Sequence, residues 1–216
     1  GDVLGPLVLG ASTTIGEYVI PSILGEYQVK FPDVAVRLHV ANTEGVLHMV
    51  ENNEIDIGIV EGPVNNKNLV SRVCWDDELV IVTPPGHELA SVGSVAVDQI
   101  LEYPFISREE GSGTREVISE HLNAAGREIA DLNLTMEFGS PESIKSAVTT
   151  GLGISILSIA TLDKELELGL LSKVSLDPPL KRPFSIVFQR QKFRVRAMDE
   201  FLKFTEAHCG EKQTHP

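Results

Sequence analysis

Leu7-Val8-Leu9-Gly10-Ala11-Ser12-Thr13-Thr14 is an apolar run that passes directly into three hydroxyl residues. A short continuous apolar run bounded by a turn signal reads as a strand covered on both faces. Ile15, Val19, Ile20, Ile23, Leu24 and Tyr27 follow at helical spacing, with Pro21 interrupting that helix or restarting it at a first-turn position. Phe31-Pro32-Asp33 stops it, and Val34 to Val40 alternates as a second strand. Thr43 reads as an N-cap, with Val46, Leu47 and Val50 giving its helix an apolar face until Asn52 and Asn53. Ile55-Asp56-Ile57-Gly58-Ile59-Val60 is the third strand. Strand, helix, strand, helix, strand implies parallel pairing through right-handed crossovers.

Leu79 to Thr83 predicts a further strand, ended by Pro84-Pro85-Gly86, and a second α/β set begins there. Phe105-Ile106-Ser107 is a short strand, and Glu110-Gly111-Ser112-Gly113-Thr114 is a turn feeding a helix with Val117, Ile118 and Leu122 on one face. Leu132 to Phe138 is a strand, and Ser140-Pro141-Glu142 opens a helix that ends at Gly151. Ile154 to Leu157, Leu171 to Leu176 and Phe184 to Phe188 are the remaining strands. The last helix carries Val195, Met198, Phe201, Leu202 and Thr205, and the polar tail from Cys209 to Pro216 is expected to be disordered.

Composition narrows the function. Lys and Arg number 18 against 31 Asp and Glu, a formal net charge of −13 over 216 residues. Nucleic-acid binding needs clustered cations that displace counterions, so this chain is not expected to bind DNA by itself. A small anion remains possible, because local donors rather than net charge govern a site. Cys74 and Cys209 are the two cysteines and no CxxC occurs, so two reduced thiols in a cytoplasmic protein are expected. No apolar run approaches the roughly 20 residues of a membrane span.

Two strand-to-helix turns carry the binding chemistry. Ser12-Thr13-Thr14 lies where a parallel strand feeds a helix, the end at which open α/β sheets bind ligands. Free N–H groups and the positive dipole end favour anions there, although Ser and Thr also serve as ordinary caps. Glu110 to Arg115 is the counterpart: its glycines allow a nest of N–H groups, with Ser112 and Thr114 as further donors. Gly151-Leu152-Gly153-Ile154 is not a dinucleotide fingerprint, because Ile156 stands at the third glycine position and the order is helix to strand. No nucleophile elbow, HExxH or P-loop is present, so no catalytic residue, cofactor or metal ligand is assigned. Asp76-Asp77-Glu78 reads as a solvated loop, and Arg190 to Arg196, with Lys192, as a solvated basic face.

Several segments together resemble the effector-binding domain of LysR-type transcriptional regulators. Pro6 to Ser12 resembles the opening strand of that domain. Ile20-Pro21-Ser22-Ile23-Leu24 and Phe31-Pro32-Asp33-Val34 resemble its first helix and stop, and Asn52 to Ile59 resembles its polar turn and following strand. Leu79 to Ala90 resembles the hinge strand and the His-Pro-Leu-Ala segment after it, with Glu88 in place of the Pro. Val148-Thr149-Thr150-Gly151-Leu152-Gly153-Ile154 resembles the Val-x-x-Gly-x-Gly-Ile turn. The match runs from about Gly5 to Glu206.

The resemblance implies an α/β fold of the type II periplasmic-binding-protein kind, with two lobes, each a mixed sheet flanked by helices, and a cleft between. Residues 1–78 with 184–216 would form one lobe and 79–183 the other. A small effector would enter the cleft, bound by Ser12, Thr13 and Thr14 from one lobe and by Ser107, Ser112, Gly113 and Thr114 from the other. Val60-Glu61 and Trp75-Asp76 lie where members often contact the effector, though Glu61 would repel an anion. The family also implies a homodimer of this domain and a tetramer of the full protein. DNA would be bound only through an N-terminal winged helix-turn-helix outside this chain, in the cytoplasm and without a membrane partner. The dimer would use the helices after Thr14 and Gly113, with Ile15, Tyr18, Val19, Ile20, Ile23, Leu24 and Tyr27 on the first and Val117, Ile118, Leu122 and Ala125 on the second. A transporter's solute-binding protein, or an enzyme on the same fold, are the alternatives.

Overall fold

The computed structural model describes residues 2–62, 64–190 and 193–213, with side chains as far as Cys209. In chain order the elements are β1 (Gly5–Ser12), α1 (Thr13–Tyr18), α2 (Ile20–Lys30), β2 (Val34–Ala41), α3 (Thr43–Glu51), β3 (Ile57–Glu61), β4 (Leu69–Thr83) and β5 (Ser94–Val95). They continue as β6 (Pro104–Arg108), α4 (Gly113–Ala124), β7 (Asn133–Phe138), α5 (Pro141–Thr149), β8 (Ser155–Ser158), α6 (Asp163–Glu167), β9 (Ser172–Leu176), β10 (Leu180–Gln189) and α7 (Arg196–Gln213). Asp77–Arg182 form one compact unit, and the described residues on either side form another. The chain passes between the units within β4 and again within β10.

In the first unit, β1 is parallel to β2, with Leu7 opposite Val36, and to β3, with Gly10 opposite Gly58. β10 runs antiparallel to β3, with Ile186 opposite Ile59. Alternate residues of a strand point to opposite faces, and both faces here are apolar. Leu7, Leu9, Ala11, Ile57, Ile59 and Ile186 join Ile20, Ile23, Tyr27 and Phe201 in one core. Val60 and Val187 join Val46, Val50 and Ile55 in the other. Burial on both faces is what a crossover-connected parallel sheet demands.

Pro21 sits in the first turn of α2, where its missing N–H costs nothing, so the helical pattern after Thr14 breaks into α1 and α2. Tyr27 fastens α2 to α7 by donating its hydroxyl to Ala197 O at 3.2 Å, and burial pushes its pKa up to about 12. The cap of α3 is Asn42 rather than Thr43: Asn42 Oδ1 accepts from Gly45 N at 2.9 Å, while Thr43 Oγ1 donates to Glu61 O at 2.8 Å. Gly58 is required by close approach. A Cβ there would lie 2.9 Å from Val46 Cγ1 and 3.0 Å from Val50 Cγ2, so its absence lets α3 settle on the sheet.

In the second unit, β4 pairs antiparallel with β8, Ile81 opposite Ile156, and with β9, Ile81 opposite Val174. β5 runs parallel to β9, and β6 parallel to β7. Alternation again serves two cores. Leu79 and Ile81 pack with Phe105 and with Val117, Ile118 and Leu122 of α4. Val80 and Val82 pack with Ile106 and with Ile144 and Val148 of α5. Gly151 follows α5 at φ +85°, the left-handed position a helix C-terminus favours. A Cβ on Gly153 would meet Pro104 O at 2.5 Å, so the Gly-x-Gly segment serves helix-to-strand packing.

Three expectations are corrected. β4 begins at Leu69, so Asp76-Asp77-Glu78 lies inside a strand rather than a solvated loop. Asp77 is buried because Arg182, 105 residues away, pairs with it. α7 continues to Gln213 where a disordered tail was expected from Cys209; residues 214–216 lie outside the described residues, as does Lys192 of the basic segment. Cys74 and Cys209 are bonded to each other instead of standing as separate thiols. Their separation of 135 residues left no local signal, but α7 returns over the sheet and brings their Cα atoms to 5.3 Å.

A cross-link between such distant residues removes loop entropy from the unfolded chain. Oxidised protein is therefore expected to resist urea by about 2–4 kcal/mol more than the same protein in dithiothreitol. Cys209→Ala should be insensitive to dithiothreitol. Equal unfolding midpoints with and without reductant in the native sequence would show that the bond carries no stability.

Candidate functional site

Ser12 ends β1 and Glu61 ends β3, so the carboxyl ends of two neighbouring parallel strands meet at one edge of the first unit. Ser12 Oγ accepts from Glu61 N at 3.1 Å, and Thr43 Oγ1 donates to Glu61 O at 2.8 Å. Thr13 Oγ1 donates to Ala41 O at 3.3 Å. Ser12, Thr13, Thr14 and Glu61 are all buried, Glu61 at 1% exposure. The structure therefore brings Ser12 and Glu61 together at the ends of β1 and β3. It also gives each of these hydroxyls except that of Thr14 a named hydrogen bond within the unit.

The other candidates from this unit are placed differently. Val60 packs against Val46 and Val50 in the α3 core. Trp75 lies in the α2–α7 core with its ring edge-on to His208, the centroids 6.2 Å apart. Asp76 is exposed on β4. A surface cavity of about 510 Å3, lined by Glu51, Lys67, Asn68, Leu69, Gln189 and Arg190, lies toward the opposite end of β3 and β10 from Glu61.

In the second unit β6 ends at Arg108, Gly111 takes φ +89°, and α4 begins at Gly113. Ser112 is the N-cap, its Oγ accepting from Arg115 N at 3.2 Å. Ser107 Oγ donates to Arg108 O at 2.8 Å. Ser107 near the end of β6 and Ser112, Gly113 and Thr114 of the turn are all buried. Arg115 turns away from it: Nη1 donates to Arg108 O at 3.0 Å and reaches Glu137 at 2.7 Å.

Two buried cations beside this turn were missed. Arg182 is 2% exposed; its Nε donates to Asp77 Oδ2 at 2.9 Å and its Nη1 to Thr114 Oγ1 at 3.0 Å. Asp77 Oδ1 accepts in turn from Ser158 Oγ at 2.8 Å. Arg108 is equally buried, with Nε on Glu109 Oε1 at 2.8 Å. The signal for Arg182 was its strand parity: Leu180, Arg182 and Phe184 alternate with exposed or half-buried Lys181 and Pro183. An arginine in phase with core residues needs a partner, and Asp77 on β4 supplies it.

Chemically, the second turn is a set of neutral donors with a paired cation behind it. Hydroxyls and backbone N–H groups of this kind suit oxyanions. Among the described residues no group of three or more His, Cys, Asp or Glu is placed to hold a metal ion. No helix among them is long and apolar enough to cross a membrane.

Comparison with known proteins fits this description. Residues 1–210 match the family described as the LysR substrate binding domain. The uncharacterized HTH-type transcriptional regulator YeiE of Escherichia coli (strain K12) is 36% identical over 203 residues, covering 94% of this chain and 68% of that protein. A probable RuBisCO transcriptional regulator of Cyanidium caldarium is 35% identical over 201 residues, covering 91% of this chain and 63% of its own length. The regulatory domain of CcmR from Synechocystis PCC6803, solved in complex with 2-PG, superposes with a TM-score of 0.87 at 32% identity, covering 95% of this chain and 97% of that one. These relatives are regulators or regulatory domains, which favours the regulator over the transporter protein or the enzyme. With its mixed α/β, periplasmic-binding-protein-like fold, this chain belongs to the LysR substrate binding domain family and is the effector-binding domain of a LysR-type regulator.

Proposed function

We propose that the effector is a small anion held chiefly by neutral donors from Ser12, Thr13 and Thr14 and from Ser107, Ser112, Gly113 and Thr114. The observation that carries this is the buried Ser112–Thr114 turn at the start of α4, with its cap hydroxyl, left-handed Gly111 and Arg182-held Thr114. Support also comes from the CcmR regulatory domain, 32% identical, which was solved with 2-PG. Val60 and Trp75 are committed to cores and Glu61 carries the wrong charge, so these and Asp76 contribute less of the affinity. The effector acts by binding one conformation of the domain better than another. The chain is not an enzyme; in the full regulator, in the cytoplasm, a winged helix-turn-helix outside it contacts DNA.

A thermal-shift screen of metabolites and inorganic anions, 2-PG included, identifies the ligand. A compound present at 100 times its dissociation constant adds about 2.7 kcal/mol. Removing a donor to a charged ligand costs on the order of 1.5–3 kcal/mol. Thr13→Ala and Ser112→Ala are therefore each expected to weaken that ligand about 10-fold or more by calorimetry. Unchanged affinity in both variants would place the site elsewhere.

The same proposal includes a homodimer of this domain and a tetramer of the full protein. The apolar residues of α4 are spent on its own core, and so are Ile20, Ile23 and Tyr27 of α2. What remains for a partner is half-buried Val19 and Leu24, with Val29 of α2 84% exposed and Val40 on the outer strand β2. Light scattering is expected to report a dimer, and a monomer at high protein concentration would contradict it.

A further inference from the structure

We infer that Arg182 sets the affinity of the anion site by acting through Thr114, as a positioning residue rather than a direct ligand contact. This rests on the anion-site reading above. The sequence Ser158 → Asp77 ← Arg182 → Thr114 is a continuous run of buried hydrogen bonds of 2.8, 2.9 and 3.0 Å. A threonine hydroxyl has one proton and two acceptor positions. Arg182 Nη1 fills one acceptor position of Thr114 Oγ1, so the Thr114 proton is directed away from the guanidinium. A hydroxyl that accepts from a cation is also the stronger donor, because hydrogen bonds in series polarise one another. The positive charge of Arg182 thus reaches the start of α4 as an oriented, strengthened O–H, while Asp77 keeps the guanidinium itself neutralised and fixed.

Another buried cation of this unit, Lys145, makes a useful contrast. Lys145 Nζ donates to Thr161 O at 2.7 Å and pairs with Glu165 at 2.8 Å and Glu142 at 2.9 Å, and these partners are a carbonyl and two carboxylates. The Arg182 network ends on a hydroxyl in the proposed binding turn. A buried pair that serves only stability is replaceable by apolar residues of similar size, often without loss. That substitution separates the two roles.

The test is calorimetric titration with 2-PG and with inorganic phosphate. Thr114→Val is expected to weaken binding about 10-fold or more and Thr114→Ser to restore it. Asp77→Leu/Arg182→Met, which removes both charges, is expected to keep a melting temperature near that of the native chain and still lose about 10-fold. Adding Thr114→Val to that pair should cost nothing further, since Arg182 works through that hydroxyl. Native affinity in a folded Asp77→Leu/Arg182→Met variant overturns the inference, as do losses that multiply when the three substitutions are combined. Arg182→Lys, which keeps the charge but not the two-pronged geometry, gives a second readout if the paired variant fails to fold: partial loss supports the inference and native affinity overturns it. A native protein that binds neither probe, or that binds them equally after Ser112→Ala and Thr114→Val, overturns the anion-site reading itself. Retained sensitivity to Ser112→Ala with none to Thr114→Val or to the pair overturns only the role of Arg182.

Discussion

The second unit begins at Asp77 and ends at Arg182, and these two residues form a buried ion pair. The chain enters this unit on β4 and leaves it on β10, and the pair joins those strands where the unit closes. Desolvating two charges costs several kcal/mol for each ion, and their attraction returns that only with good geometry and further hydrogen bonds. Both conditions are met: Nε to Oδ2 at 2.9 Å, with Ser158 satisfying the other carboxylate oxygen and Thr114 taking another N–H. The consequence is positional. Four segments far apart in sequence (β4, β10, the start of α4 and the end of β8) are registered to one another by directional bonds that apolar packing cannot supply.

Much of the fold was legible because apolar runs and turn residues agree along the chain. The Leu7–Ala11 strand, the break at Pro21, the Ile55–Val60 strand and the left-handed Gly151 all follow from local patterns. What local patterns do not carry is pairing across the sequence. Asp77 looks like part of a solvated acidic run until Arg182 is set beside it, and that relation spans 105 residues. Cys74 and Cys209 pose the same problem over 135 residues. The cap of α3 was misplaced by one residue because Asn42 and Thr43 are both good caps, and only the Thr43–Glu61 contact decides between them.

The candidate site divides along the same line. Ser112 and Thr114 were readable as donors in a glycine-rich turn, whereas the cation behind Thr114 was visible only as a parity clue on β10. The proposed site also offers a way for a chain of net charge −13 to receive an anion. Its acidic residues are largely on the surface, where water and salt screen them, while hydroxyls, N–H groups and a paired guanidinium are buried around the turn. Local donors then outweigh the overall charge.

The proposed function requires that the start of α4 contact the anion. Amide hydrogen exchange measured residue by residue, with and without 2-PG, locates that contact directly. Slowed exchange at Gly113 and Thr114, whose N–H groups open α4, is the predicted result. Protection confined to another region, such as the Lys67–Arg190 cavity of the first unit, would contradict it.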